Sequence, residues 1–452
     1  MMQSGARIPT YILSILFLTM GFAALAGDTS VLDRETVSAW LTEFSVPAVG
    51  IGIIHDSTLS ECRVFGELRQ GVPADRSALF RIASLTKPIT STVALKLVGT
   101  GQLDLDDPLF RYWVDPDIQD DSRLKLLTTR HVLNHQTGFP NWRETTSSKK
   151  LSFQFNPGTK YEYSGEGFEY LRRALERKFD RVLEELADAL LFTPLEMTDT
   201  RYRWVNGIDT SRFAVRHDKD GNPYEENQQA EANAAAGVLT TVEDYCRFGI
   251  HVMNGAGLPS ELYGEMIQPY RNLKEDVDQG LGWEIVQNLE SDEYALVHEG
   301  GSKGVKTIVV LLPKSKRGIV VFTNGDQGDR VYERVLRESV EYGGEIVDLL
   351  GKMSYDPDQI NTVNIQNEIL QEYCGSYLIE SFQMTVEIIQ EGENLKMVSP
   401  HNKIGLEAES ETEFFSRDDD LRIKFVMAED GNIAGFLMTF RGGDPELVQK
   451  TE

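Results

Sequence analysis

The sequence is poor in cysteine and in positive charge. Its three cysteines, Cys62, Cys246 and Cys374, are widely spaced and form no CxxC pair. They allow at most one disulfide and exclude the usual cysteine-based metal and redox motifs, so we expect buried thiols. Lysine and arginine number 45 against 71 aspartates and glutamates, a formal net charge of -26. Because no Lys/Arg-rich run offsets this charge locally, nucleic acid and anionic membranes are excluded as favoured partners.

Long apolar runs are also missing, except at the N-terminus. There Arg7 precedes an apolar run from about Tyr11 to Phe22, and the small residues Ala24-Leu25-Ala26 follow. This order predicts a secretory signal peptide over residues 1–26, and therefore a periplasmic or secreted protein. The alternative is an uncleaved membrane anchor, since the apolar run is only slightly shorter than a membrane-spanning helix.

At 452 residues, 41% of them hydrophobic, the chain exceeds the usual size of a single core, which predicts one large domain and a smaller one. In the larger region, residues 27–355, helical spacing in "VLDRETVSAWLTEF" precedes two strand patterns, "AVGIGIIHD" and "SECRVFGEL". Helical patterns dominate from residue 84 to about 200. The larger region ends with two predicted strands, "KTIVVLLP" and "RGIVVFTN", and one predicted helix, "DRVYERVLRESVEYGGEIVDLL". The patterns predict an α+β fold with helices on an antiparallel sheet.

The last region, residues 356–452, has a different pattern. Short segments that alternate apolar and polar residues follow one another in "QMTVEII", "ENLKMV", "TEFFSR", "LRIKFVM" and "IAGFLMTF". Turn residues at Glu391-Gly392 and Asp430-Gly431 fit hairpins. We therefore predict a separate small β-barrel domain.

The stretch "FRIASLTKPI", residues 80–89, places Ser84 and Lys87 three positions apart. They share one face if a helix begins near Ser84, and Pro88 suits the first turn of such a helix. A lysine acts as a base only when burial lowers its pKa by about 3 units. Alternatively, a cationic Lys87 lowers the pKa of a nearby tyrosine, which then takes the serine proton. SxxK is a common pattern, so Ser84 as a plain helix cap beside a surface lysine is the competing interpretation.

Five ordered blocks extend this motif into a family resemblance. They read "FRIASLTKPITSTVALKLVGTGQLDLDDPL", "LLTTRHVLNHQTGFP", "NPGTKYEYSGEGFEYL", "ANAAAGVLTTVEDYCRF" and "VHEGGSKGVKTIVVLLPKSKRGIVVFTN". Together they resemble the serine β-lactamase and penicillin-binding-protein superfamily, in its class C-like branch with esterases and D-aminopeptidases. The resemblance covers about residues 30 to 350 and implies a two-lobed domain whose second lobe is all-helical. The C-terminal part is similar to the lipocalin-like domain often appended to these hydrolases.

The resemblance also implies the roles of individual residues. Ser84 would be the nucleophile, Lys87 its activating partner and Tyr163 the proton relay, while His298 takes the position usually held by a lysine. The backbone N–H groups of Ser84 and Gly301 would form the oxyanion hole. Ser84 would be acylated by a carbonyl substrate and released by water, with no metal and no cofactor.

The resemblance implies substrate binding at Gly165 and Gly300, and two departures from the family pattern, at Gly165 and His298, bear on the substrate. Tyr163-Ser164-Gly165 lacks the asparagine often found at its third position, so no side-chain amide can hold an acylamino group. His298 offers at most a titrating charge to a substrate carboxylate, so activity on carboxylated substrates is expected to rise as the pH falls toward its titration range. Both departures weaken the case for efficient β-lactam hydrolysis.

Rival motifs point to one other serine and to a metal. Gly300-Gly301-Ser302-Lys303-Gly304 matches GxSxG, but a strand follows it where a nucleophile elbow needs a helix, and the only later histidine is His401. His131 and His135 are spaced i, i+4 on a predicted helix, but the motif lacks the glutamate of HExxH and a third ligand, so we expect packing and hydrogen bonding. Trp142 either lines a pocket or packs in the core.

The sequence therefore predicts a periplasmic or secreted serine hydrolase that acts through a Ser84 acyl-enzyme on small esters or on amides of the D-amino-acid peptide type. A class C-type β-lactamase is one alternative. A non-catalytic peptidoglycan- or peptide-binding protein that retains the fold is the other. The expected partner is a small-molecule ester, amide or peptide, with no nucleic acid and no membrane contact beyond the signal segment.

Overall fold

The computed structural model describes residues 32–204, 208–226, 230–351, 360–380, 384–399, 403–417, 419, 421–428, 431–440 and 445–451. The predicted signal segment, His401 and Asp430 lie outside these residues, as does the predicted domain boundary at 355/356. Among the described residues, no helix is both long enough and apolar enough to cross a membrane.

An antiparallel sheet forms the centre of the larger domain. Its strands are β1 (Ala48–His55), β2 (Thr58–Arg69), β3 (Val72–Pro73), β6 (Arg271–Lys274), β7 (Val277–Gln279), β8 (Glu284–Leu289), β9 (Glu293–Ser302), β10 (Val305–Leu312) and β11 (Arg317–Thr323). In the described part of the chain, nine strands lie in the order β3-β2-β1-β11-β10-β9-β8-β7-β6. A separate pair joins β4 (Phe80–Arg81) to β5 (Leu239–Thr240). The four strands predicted by sequence here, β1, β2, β10 and β11, are confirmed.

Helices cover both faces of the sheet. They are α1 (Arg34–Glu43), α2 (Thr86–Gly99), α3 (Thr129–Leu133), α4 (Gly165–Phe179), α5 (Leu183–Ala187), α6 (Val242–Met253), α7 (Ser260–Met266), α8 (Gly328–Ser339) and α9 (Gly343–Gly351). Successive β10 side chains point to opposite faces: Val310 packs in the core with α1, α8 and α9, whereas Val309 packs in the core with α2 and α6. Two buried faces explain why β10 is apolar at every position from Ile308 to Leu312.

The second lobe is helical, as the family resemblance implied. It contains α2 to α5, and α2 is buried on almost every side, including its polar residues Thr86, Lys87 and Thr90. A helix surrounded by protein buries polar groups only where they find partners. Thr90 donates to the carbonyl of Ala234 at 2.8 Å. The predicted α+β fold with an all-helical lobe is confirmed.

The predicted helix over "DRVYERVLRESVEYGGEIVDLL" is instead two helices, α8 and α9. The chain turns at Tyr342, which has a left-handed φ of 63°. A Cβ on Gly343 would lie 2.0 Å from the carbonyl oxygen of Leu336, so the turn requires glycine at that position. The turn at Tyr342 and Gly343 therefore divides the segment into two helices, although its apolar residues keep a helical spacing throughout.

The C-terminal domain is a closed barrel preceded by α10 (Asn367–Tyr373). Its strands are β12 (Gly375–Ile379), β13 (Met384–Glu391), β14 (Asn394–Val398), β15 (Lys403–Ala408), β16 (Glu413–Phe415), β17 (Leu421–Met427), β18 (Ile433–Phe440) and β19 (Glu446–Lys450). Inward side chains such as Tyr377, Val386 and Leu395 form the core, with Leu370 and Tyr373 of α10 packed against it. The predicted β-barrel is confirmed.

Candidate active site

Ser84 lies on a single 3-10 turn, Ala83–Leu85, immediately before α2. The helix begins at Thr86, close to the start that the SxxK spacing predicts, and Pro88 lies in its first turn. Ala83 has a φ of 45°, a left-handed conformation that is uncommon for a residue with a Cβ. The turn thus places a half-buried serine hydroxyl at the N-terminal end of a buried helix.

Lys87 faces Ser84 across this turn. Its Nζ lies 3.2 Å from Ser84 Oγ, and it donates to the carbonyl oxygen of Ala235 at 3.1 Å. The side chain is 1% exposed. Burial lowers the pKa of this amine to about 7. Near neutral pH a large fraction of Lys87 is therefore an amine with a lone pair within reach of the serine proton.

Tyr163 completes the cluster. The Lys87 Nζ lies 4.5 Å from the centre of its ring, and Ser84 is close enough to influence the pKa of its phenol. Burial raises the pKa of Tyr163 above its usual value; the nearby Ser84 hydroxyl opposes this shift, and the carboxylates of Glu284 and Glu299 add to it. The phenol therefore keeps its proton near neutral pH. The structure brings Ser84, Lys87 and Tyr163 together.

His298 lies on β9 beside this cluster and is 6% exposed. Its Nδ1 lies 2.8 Å from the carbonyl oxygen of Glu299, a contact that assigns the Nδ1–H tautomer. Burial and the nearby Lys87 charge lower the pKa of His298 to about 3. The imidazole is therefore neutral in the pH range where Lys87 titrates. The expected gain in activity on carboxylated substrates would need a pH near 3, where Lys87 is fully protonated and cannot act as a base.

Gly301 lies at an open edge of β9. The pair Ser302 and Val305 closes a two-residue hairpin loop, and such closing pairs exchange backbone hydrogen bonds. Alternation along β9 then directs the N–H of Gly301 away from β10. On that side β8 begins at Glu284, opposite Val297, so its pairing stops short of Gly301. This orientation fits an oxyanion-hole donor, and the role itself stays a prediction.

Gly300 allows the nucleophile turn to approach the sheet closely. A Cβ at this position would lie 2.4 Å from the carbonyl oxygen of Ile82 and 2.3 Å from Thr307 Oγ1. Thr307 Oγ1 also donates to the Ile82 carbonyl at 3.0 Å, which ties the turn to β10. Gly300 thus lies behind Ser84 and positions the turn, and direct substrate contact by Gly300 stays a prediction.

Gly165 is the first residue of α4, and its N–H donates to Asn141 Oδ1 at 3.0 Å. A Cβ on Gly165 would lie 2.6 Å from the indole of Trp142. Trp142 is half-buried against the core of the helical lobe. The Trp142 indole therefore fills the space that an asparagine side chain at position 165 would occupy.

His135 is a site residue that sequence reasoning did not assign. Its buried ring packs on Tyr163, and its Nδ1 accepts from the N–H of Ser164 at 3.1 Å. Burial, Lys87 and His298 lower the pKa of His135 well below its usual value, so the imidazole is neutral. The second family block, which contains His135 in "HQTGFP", was the available sign of a functional residue. No sequence pattern linked His135 to Tyr163, because the two residues are far apart along the chain.

The rival motifs do not form sites. The predicted helix through His131 and His135 is wrong at its end: α3 stops at Leu133, and His135 has a φ of 57°. His131 Nδ1 instead contacts the carbonyl of Leu126 at 3.0 Å, and no group of metal-binding side chains occurs in the described ranges. Ser302 is exposed at the end of β9 and β10 follows, so the strand-to-helix turn of a nucleophile elbow is missing there.

Comparisons with known proteins show the family and the fold. The beta-lactamase family model matches residues 34–341. The chain is 23% identical to penicillin-binding protein 4* of Bacillus subtilis over 428 residues, covering 85% of this chain and 90% of that protein. It is 30% identical to esterase EstB of Burkholderia gladioli over 207 residues, covering 39% of this chain and 51% of that protein. The octameric penicillin-binding protein homologue from Pyrococcus abyssi superposes with a TM-score of 0.60 at 18% identity, covering 92% of this chain and 98% of that chain.

Proposed function

Because the chain belongs to the beta-lactamase family, we propose that it is a serine hydrolase in which Ser84 is acylated by the substrate. The observation that carries this proposal is the contact between Ser84 Oγ and the buried Lys87 Nζ, 3.2 Å apart. A lysine whose pKa is lowered to about 7 can accept the serine proton near neutral pH. Tyr163, which keeps its proton, is then the acid and relay.

In the proposed reaction, Ser84 Oγ attacks the carbonyl carbon while its proton moves to Lys87 Nζ. The carbonyl oxygen becomes an oxyanion that the N–H groups of Ser84 and Gly301 stabilise, and one such donor is typically worth about 10² to 10³ in rate. When the intermediate collapses, Tyr163 gives its proton to the leaving group and regains one from Lys87. Water then attacks the acyl carbon, its proton passes back through the same groups, and Ser84 is released.

We propose small esters, or small amides of the D-amino-acid peptide type, as substrates. The neutral His298 offers no positive charge to a carboxylate, and Trp142 replaces the amide that would hold an acylamino group. The similarity to an esterase over part of the chain supports the ester alternative. The signal-like segment 1–26 supports a periplasmic or secreted location for this activity.

Hydrolysis of p-nitrophenyl acetate tests the proposal. Ser84→Ala should reduce kcat/KM to background with unchanged circular dichroism, because only this hydroxyl attacks the carbonyl. Ser302→Ala is the matched control and should retain activity. The opposite pattern, with Ser302→Ala inactive and Ser84→Ala active, would overturn the assignment of the nucleophile.

A further inference from the structure

The indole of Trp142 occupies the space toward which a side chain at position 165 would point. A Cβ built on Gly165 lies 2.6 Å from both Cη2 and Cζ2 of the indole, and 2.9 Å from Cε2. Real Cβ atoms do not approach ring carbons this closely, so the ring lies directly on the glycine. Glycine at 165 and tryptophan at 142 are therefore a matched pair.

Polar contacts on both sides of Trp142 hold the ring in this place. Asn141 accepts the N–H of Gly165 with its side chain and the N–H of Glu166 with its backbone carbonyl, each at 3.0 Å. Arg143 donates to the carboxylates of Glu166 and Asp115, each at 2.8 Å. Because Trp142 lies between these two anchors, its position relative to α4 is fixed.

The ring lies on the same side of the chain as the Tyr163 phenol. Ser164, between the two positions, has extended φ and ψ angles of -137° and 117°, and its side chain is buried toward the carbonyl of Pro140. In an extended segment, residues i and i+2 point to one side and lie about 6 to 7 Å apart. The Lys87 Nζ, which lies 3.2 Å from Ser84 Oγ, also lies 4.5 Å from the centre of the Tyr163 ring. The indole therefore lies beside Tyr163, on the side of the chain that carries the phenol.

We infer that Trp142 determines the acyl specificity of the hydrolase, because its indole forms a flat apolar subsite for the substituent on the scissile carbonyl. This inference rests on the proposed function and adds the substrate class: esters or amides of apolar acyl groups, from short aliphatic to arylacetyl. An indole face gives large contact area and little hydrogen bonding, so it favours apolar over acylamino substituents.

The kinetic test compares p-nitrophenyl acetate with p-nitrophenyl phenylacetate. Trp142→Leu should lower kcat/KM for the phenylacetate at least tenfold, mainly through KM, and change the acetate value less than threefold, since a single methylene in a hydrophobic pocket is already worth about 10- to 200-fold and a phenyl group is larger. Trp113→Leu is the matched control. Trp113 is also a half-buried indole of the helical lobe, but it packs on Tyr170, with ring centroids 4.7 Å apart. This control variant should leave the ratio of the two values unchanged.

A binding test separates this inference from the hydrolase proposal. In a Ser84→Ala background, methyl phenylacetate is titrated by calorimetry, so no turnover is needed. Adding Trp142→Leu should raise the Kd at least fivefold, and adding Trp113→Leu should not. Equal losses on both esters, or an unchanged Kd, would overturn the inference even if Ser84 is the nucleophile. Trp142→Phe, which keeps a smaller ring, replaces Trp142→Leu if that variant does not fold and should give smaller effects in the same direction.

Discussion

The imidazole of His135 and the phenol of Tyr163 lie ring to ring, with centroids 4.3 Å apart and planes inclined by 32°. The two backbone amides that flank Tyr163 also donate to His135: the N–H of Glu162 to its carbonyl at 2.8 Å, and the N–H of Ser164 to its Nδ1 at 3.1 Å. His135 therefore sets both the backbone and the ring position of Tyr163.

Replacing His135 should impair the relay through Tyr163. His135→Phe keeps a ring but removes the acceptor for the Ser164 N–H, and an unpaired buried donor costs about 1 to 3 kcal/mol. We expect kcat for p-nitrophenyl acetate to fall about ten- to a hundredfold with little change in KM. His135→Asn should recover part of the loss, because asparagine offers an acceptor and tolerates the left-handed φ of 57°.

The control for this prediction is His131→Phe, whose histidine contacts Thr128 and Leu126 instead of Tyr163. Its kcat should stay close to that of the parent protein. If His135→Phe kept the parental kcat, His135 would be a packing residue only.

The pH profile of the reaction should show the titration of Lys87. With a pKa of about 7, the amine is protonated at low pH and cannot take the serine proton, so kcat/KM for a neutral ester should rise through about pH 7 and then level off. Lys87→Arg should be inactive at every pH, because arginine does not lose its proton in this range. A profile with no inflection between pH 6 and 8 would contradict the role of a neutral lysine.

The same amine should make stability depend on pH. Its folded pKa of about 7 is below the unfolded value of 10.5, so between these values the unfolded state binds more protons and stability rises with pH. Below pH 7 the full cost of burying the charge remains, on the order of 5 kcal/mol. Lys87→Met should therefore raise the Tm at pH 6, with a difference that shrinks toward pH 10 in differential scanning calorimetry.

Lys87 and Tyr163 should behave as one unit. Lys87→Ala and Tyr163→Phe should each remove most of kcat, and the double variant should be little worse than the poorer single variant, because residues that share one proton relay are strongly non-additive. Stopped-flow measurement of acylation in all four proteins gives the coupling. Losses that multiply would mean that the two residues serve separate steps.

Nitrocefin should be a poor substrate beside p-nitrophenyl acetate. The asparagine amide is missing at Gly165, which removes hydrogen bonds worth on the order of 1 to 3 kcal/mol, or about ten- to a hundredfold in kcat/KM. The neutral His298 adds no charge for the carboxylate. Parallel kcat/KM values decide the point, and a nitrocefin value well above the ester value would make β-lactamase the better description.

Local patterns predicted the parts of the site that are close in sequence. Ser84 and Lys87 meet because three residues span one helical turn, and several barrel strands followed from alternation, as in "LRIKFVM". Strands β12, β15 and β19 were not predicted. β12 and β19 pair with each other and close the barrel, a contact between segments remote in sequence that no local pattern shows. β15 pairs with its chain neighbours β14 and β16, and the sequence analysis overlooked it.

Contacts between distant segments account for what sequence reasoning missed. His135 reaches Ser164 across 29 positions, and the ring of Trp142 lies on Gly165 across 23. Neither contact has a helical or strand period that a local pattern could show. The low pKa of His298 likewise comes from its burial and from Lys87, a neighbour in space that is remote in sequence.

Intact-protein mass spectrometry tests the central claim, that Ser84 becomes acylated. The parent protein and Ser84→Ala are each treated with a fluorophosphonate probe, and the adduct is then located by peptide mapping. We predict one adduct on the parent protein, on the peptide that contains Ser84, and none on Ser84→Ala. A folded parent protein that forms no adduct would contradict the account and favour a non-catalytic binding protein, and an adduct on Ser302 would contradict the assigned nucleophile.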